Sequence, residues 1–185
     1  MSEQALTGVR ILDFSQVLAG PFATQLMAQL GAQVIKIEQP VGGDMTRGPM
    51  SASSDGMAPS FLAANLGKRS LTLDLKNPKA KEIVHKLVAK ADVIVENFKP
   101  GTIERLGFGY EAMKAVKPDL VYASISGFGQ TGPRASLPAF DGAIQAYSGM
   151  MSISGHAETG PVRSGYFSVD MSTALNAAFA ITAAL

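Results

Sequence analysis

The feature that most limits what this chain can fold into is an alternation that runs through most of it. "VRILDFS" is followed by "GPFATQLMAQLG", then "AQVIKIE"; further on come "KRSLTLDLK", "NPKAKEIVHKLVAKAD", "VIVENF", "PGTIERLGFGYEAMKAVKP" and "LVYASISGFG". "VRILDFS" is a buried-strand pattern, and all the apolar runs are short, as strands of a sheet covered by helices would be. Helical stretches stand between them, so neighbouring strands run parallel. The pattern predicts an α/β fold: an open, mostly parallel Rossmann-like sheet with helices on both faces. In the first helix Pro21 suits the opening turn, Leu26, Met27 and Leu30 supply an apolar face, and Gly31 ends it. In the helix after the third strand the expected face is Ile83, Val84, Leu87 and Val88. Residues 39–60, rich in Pro, Gly, Ser and Asp, read as a long loop of the kind that more often serves a function than none.

Composition removes several functions. A chain of 185 residues with 46% hydrophobic residues holds one domain with a full core. Sixteen basic against fifteen acidic residues leave a formal charge of +1, too little for a nucleic-acid partner held by many phosphate contacts. The absence of cysteine excludes disulfides, thiol nucleophiles and Cys-built zinc sites, and two histidines make a His-rich metal centre unexpected. "MSEQALTGVR" lacks the basic start and apolar run of an export signal. The longest apolar stretch, residues 174–185, is too short to span a bilayer. A cytoplasmic protein with no membrane partner is expected.

"SGFGQTGP" contains Gly127, Gly129 and Gly132 as G-x-G-x-x-G after a strand. A dinucleotide site would need a helix to begin there, and Pro133 and Pro138 oppose one. The glycines are expected instead to let the backbone approach another ligand at the strand's carboxyl end. His85 falls on the lysine-rich side of its helix and reads as solvated; His156 reads as a surface-loop residue. Lys76, Lys79, Lys81, Lys86 and Lys90 read as a solvated face. Arg105, just after a strand end, is placed to meet a phosphate. Asp170 is the one charge in "GYFSVDMSTALNAAFAITAAL". It suits either a helix N-cap or a carboxylate nucleophile at a helix start, and the two roles are compatible.

Three long segments, "GVRILDFSQVLAGPFATQLMAQLGAQVIKIEQPVGGDMTRG", "NLGKRSLTLDLKNPKAKEIVHKLVAKADVIVENFKPGTIERLGFGYE" and "LVYASISGFGQTGP", resemble the family III CoA-transferases (CaiB–BaiF family). The resemblance covers nearly the whole chain. It implies the large-domain part of that fold, with residues 1–185 as its N-terminal portion and the small domain and C-terminal return segment absent. The unfinished helix pattern at Leu185, with neither glycine cap nor proline, fits that expectation. The resemblance also implies an interlocked homodimer of ring-shaped chains and transfer of coenzyme A from an acyl-CoA to a small carboxylic acid, with no permanently bound cofactor or metal.

By that resemblance, "FSVDMSTALNAAFAITAAL" places Asp170 on the family's catalytic aspartate, with Ala174 where many members have glycine. CoA contacts carried over are Leu18 and Ala19 in "QVLAGP", Gln39 after "VIKIE", Leu73, Asp74, Leu75 and Lys76 in "LTLDLK", and Asn97, Phe98 and Arg105 in "VENFKPGTIERLGF". At Gln39 some members carry arginine. "RASLPAF" departs from the family and contributes no expected contact. Two alternatives stand beside the transferase. Racemases of the same family place a histidine in "GHD", where this chain has Phe140 in "AFDG". A truncated, catalytically idle CoA-binding fragment is the other. Exposed apolar surface is expected on the last helix.

Overall fold

Every apolar run becomes a strand of one sheet, and the helices fall between them. The computed structural model describes residues 3–48 and 57–185. Strands β1 (Arg10–Asp13), β2 (Gln33–Glu38), β3 (Arg69–Thr72), β4 (Val93–Glu96) and β5 (Val121–Ser124) form a five-stranded sheet. All neighbours are parallel, and the order is β3-β2-β1-β4-β5. Leu12 lies opposite both Ile35 and Ile94, so β1 is the centre. The chain first winds one way from β1, then returns to β4 on its other side. The order therefore reverses at β1 and β4, where open α/β sheets hold ligands beyond the carboxyl ends of the strands.

Successive strand residues feed opposite cores, which explains the unbroken apolar runs. Ile11, Val34, Val93 and Val95 point to one side, joined by Met27 of α1 (Ala19–Gln29) and Ile181 of α7 (Ser168–Ala184). Leu12, Ile37 and Ile94 point to the other. They meet Ala80, Val84 and Val88 of α3 (Pro78–Val88), Ile103 of α4 (Thr102–Arg105) and Met113 of α5 (Tyr110–Val116). Each fully buried aliphatic side chain contributes about 1.5–3 kcal/mol.

Two helix faces differ from expectation. In α1 only Met27 of the expected three is buried, and Leu30 is exposed. The helix packs against α7, and its buried stripe is Ala19, Ala23 and Met27, each four residues on. Small residues are hidden because a second helix lies close, a circumstance that local periodicity does not carry. In α3 the stripe is Ala80, Val84 and Val88, while Ile83 faces out and Leu87 is partly buried. Asn77 caps this helix by accepting from the Lys79 amide at 3.0 Å. His85 and the lysines are exposed, as expected.

The loop expected over 39–60 lies partly outside the described residues. Its described part holds a short 3-10 turn, Met45–Arg47, and the start of α2 (Pro59–Asn65). No helix opens at the glycine motif; after β5 the next helix is α6 (Asp141–Tyr147). His156 pairs with Gly160 in a two-residue ladder between β6 (Gly155–His156) and β7 (Gly160–Pro161), and it is exposed. On α7, Leu175 and Phe179 are exposed, as expected. No helix among the described residues is long and apolar enough to cross a membrane.

Candidate active site

Beneath the reversal point lies a buried polar network at the carboxyl ends of β1 and β2. Asp13, fully buried, accepts from Thr24 Oγ1 at 2.6 Å, from the Ser15 amide at 2.9 Å and from the Ser15 hydroxyl. Lys68 reaches it at 2.9 Å and spends its other protons on Pro21 O and Asn65 Oδ1, both at 2.8 Å. Burial alone would raise the Asp13 carboxyl; Lys68, Lys36 and the two hydroxyls outweigh it and hold it well below the usual range. Lys36, also buried, pairs with Asp44 at 2.9 Å and donates to Ser15 O at 2.6 Å. Glu38 receives Arg47 through two nitrogens, at 2.6 and 2.9 Å, with Ser70 Oγ at 2.6 Å and the Asp44 amide at 2.9 Å.

These bonds hold the loop after β1 in an uncommon shape. Val17, with φ at 68°, is the one non-glycine residue in the left-handed region among the described residues, a conformation costing about 1–3 kcal/mol. Its neighbours allow it no escape. Asn97 clasps Gln16 on both sides, accepting from its amide and donating to its carbonyl at 2.7 Å each. Asp44 Oδ1 accepts from the Val17 amide at 3.3 Å. Asn97 follows β4, so this clasp ties the two strands together across the reversal point.

Above the loop opens a cleft of about 340 Å³. Gln16, Val17, Leu18 and Ala19 line it from β1, Asn97, Phe98 and Lys99 from β4, and Ser126 and Gly127 from β5; Leu137 to Phe140 form the far rim. Asp170 closes it and also lines an adjoining hollow of about 190 Å³ with Asp141 and Thr173. Asp170 is the third residue of α7, not its cap. No described residue donates a hydrogen bond to its carboxylate. Burial first, and the charge of Asp141 second, push its pKa up to about 6. Asp141 does the capping, accepting from the Val169 and Asp170 amides at 2.9 and 3.1 Å.

The expected contacts fall into separate groups. Leu18, Ala19, Asn97 and Phe98 join Asp170 at the cleft. Leu75, Lys76 and Arg105 meet elsewhere along the same edge of the sheet, around a hollow of about 400 Å³ that Lys81 and Pro78 also line. Leu73 packs into the core and bonds Glu38 O through its amide at 2.8 Å. Asp74 turns the chain by accepting from the Lys76 amide at 3.0 Å. Gln39 is exposed and donates to Gly43 O at 3.2 Å, lining neither hollow. Among the described residues no group of three or more His, Asp and Glu side chains is gathered as a metal site would need.

Residues 6–185 match the sequence model of CoA-transferase family III. The chain belongs to that family. It is 44% identical to the succinate–glutarate CoA-transferase of Agrobacterium fabrum, over 97% of this chain and 46% of that protein. It is 43% identical to the formyl-CoA:oxalate CoA-transferase of Bradyrhizobium diazoefficiens, over 98% of this chain and 43% of that one. Among solved structures, a CaiB/BaiF family protein from Brucella suis superposes with a TM-score of 0.92 at 41% identity, covering 99% of this chain and 49% of the other. The chain thus spans a little under half the length of the curated relatives it matches.

Within this family III member, sequence reasoning missed the far rim and the cap. Leu137 to Phe140 belong to the "RASLPAF" stretch from which no contact was expected, yet they face Asp170 across the cleft. Gly127 is explained by the same rim: a Cβ there would overlap that of Ala139, so the glycine makes room for a side chain of this chain's own rim. Gly129 and Gly132 serve turns, with φ at 78° and 94°. The usable signal was "FDG", an acid at the start of an apolar helix, which is a capping pattern whose target lies 28 residues on.

Proposed function

We propose that the chain supplies the covalent half-site of CoA transfer, with Asp170 as the nucleophile toward an acyl-CoA. The observation that carries this reading is the state of Asp170: half-buried, free of hydrogen-bond donors and facing a cleft at the sheet's reversal point. A carboxylate bound by donors would be stabilised and unreactive; this one is poorly solvated and available. An Asp170 oxygen attacks the thioester carbon, the C–S bond breaks, and the electron pair leaves on the CoA sulfur, giving a mixed anhydride. The thiolate then attacks the aspartyl carbonyl and expels the donor acid, leaving an aspartyl thioester. The acceptor carboxylate runs the same two steps in reverse, so no net proton is needed.

The cofactor contacts follow from the two hollows. The cationic one, with Lys76 and Arg105, suits the phosphates of CoA, and the cleft beside Leu18, Asn97 and Phe98 suits the thioester end. The named relatives act on succinate, glutarate, formyl-CoA and oxalate, so a short-chain acid pair is the substrate class to test. Racemisation needs a second base at the α-carbon. Phe140 offers none, and Asp141 has both oxygens committed to donors. The reading carries a homodimer with it, for which exposed Leu175 and Phe179 provide apolar surface.

The test is intact-protein mass spectrometry after incubation with succinyl-CoA and borohydride reduction, which converts an aspartyl thioester to homoserine. Homoserine at position 170, and none after Asp170→Ala, is the expected result. An equal adduct in Asp170→Ala, or no adduct on a folded chain with any short acyl-CoA, overturns the assignment.

A further inference from the structure

The cap on α7 is a charged group where a neutral one would serve. Asp141 is the first residue of α6 and only 5% exposed. One of its oxygens takes both α7 amides; the other accepts from the side-chain amide of Gln145. Gln145, fully buried, accepts in turn from the Ser164 amide at 2.9 Å, and the Ser164 hydroxyl lies 2.9 Å from that of Ser168. The first turn of α7 is therefore bolted to α6 through one continuous set of bonds. No described cation forms an ion pair with Asp141. Asn or Ser would cap the helix nearly as well without burying a charge.

We propose that Asp141 is the positioning residue for the nucleophile: its carboxylate clamps the Val169 and Asp170 amides, aims Asp170 into the cleft, and by its charge disfavours the free Asp170 carboxylate relative to the acylated side chain. This rests on the reading of Asp170 as the acyl acceptor. When the acyl carbon bonds to Asp170, the C–S electron pair departs on sulfur, and negative charge moves away from Asp141. The repulsion present before the step is absent after it, and that difference favours acylation. The pKa of about 6, raised by burial first and by Asp141 second, contains the same effect with a proton in place of the acyl group. Asp170 still remains about nine-tenths ionised at neutral pH. The other charged groups near this junction are Lys99, across the cleft, and Arg163, whose side chain runs beside Gly142. Both are cationic and act in the opposite direction.

The experiment titrates the full chain, labelled with 13C at the aspartate carboxyls, by NMR, and measures succinyl-CoA acylation against pH, for the unmodified protein and Asp141→Asn. Because burial supplies the larger part of the rise, the Asp170 midpoint near pH 6 is expected to fall by several tenths of a unit and at most about one in the variant, and acylation at pH 8 to slow by up to about tenfold. A midpoint that does not move, whatever happens to the rate, overturns the proposal, because a purely structural cap would slow the reaction at every pH alike. Should Asp141→Asn fail to fold, the amides of the unmodified protein decide. The Val169 and Asp170 amides, which donate to Asp141, are expected to be protected from hydrogen exchange, and fast exchange of either one overturns the clamp. Coupled carboxyls on a chain that takes no acyl group would instead overturn the nucleophile reading and leave the clamp standing.

Discussion

Replacing Lys68 by Met tests whether the polar network under the cleft is held by its buried ion pair. The Lys68 ammonium is 2% exposed and Asp13 is not exposed at all. All three ammonium protons are used, on Asp13 Oδ2, Pro21 O and Asn65 Oδ1. Met fills the space of the stem but leaves those acceptors short of a donor and one buried carboxylate without its nearest cation. Removing one partner of a buried pair costs about 3–5 kcal/mol, which for a chain of this size lowers Tm by about 6–20 °C. Urea melts at neutral pH measure the first figure and thermal scans the second. Acid adds an independent reading. The folded value of Asp13 lies below its unfolded 3.8, so between those values the unfolded chain binds more protons and stability rises with pH. The contribution is complete above the unfolded value and is lost as pH falls toward the folded one. In Lys68→Met the Asp13 carboxyl moves up, and acid unfolding begins at a higher pH. Adding Asp13→Asn to Lys68→Met should recover much of the loss. A penalty below about 1 kcal/mol, the size of a surface pair, together with an unmoved acid transition, would refute the argument.

Asn97→Leu removes both bonds to the Gln16 backbone and should cost about 1–3 kcal/mol in a urea melt. Because the freed loop lines the cleft, succinyl-CoA acylation should fall more than that loss of stability alone accounts for. Gly127→Ala forces a methyl into Ala139, with Ile144 Cδ1 only 3.2 Å away. It should destabilise by about 1–3 kcal/mol, seen as a lowered Tm, and should disturb NMR signals of residues 137–140 more than those of the sheet.

What was legible in the sequence was whatever depends on near neighbours. "RILD", "QVIKIE" and "VIVE" carry β-branched runs that only a two-sided sheet can bury, and the crossings between them require parallel strands. Asn77 before Pro78 marks the start of α3 with its own cap. The resemblance added Asp170, which no local pattern separates from an ordinary capping acid. The interior of the strands already contained the unusual charges Asp13, Lys36 and Glu38, but their pairing with Lys68, Asp44 and Arg47 joins residues 8 to 55 positions apart.

The sequence alone determined the layers, the strand direction and the edge of the sheet where a ligand can bind, because hydrophobic periodicity and chain connectivity are local and one-dimensional. Only the tertiary structure decided that Ala23, not Leu30, faces the core of α1, since that depends on α7 arriving from 150 residues away. It also decided that Val17 is held in a left-handed conformation, that an unremarkable loop forms the far wall of the cleft, and that Asp141 rather than Asp170 caps α7. Each of these is a contact between segments brought together by folding. Its energy depends on distance in space and burial, and neither is written in the order of the residues.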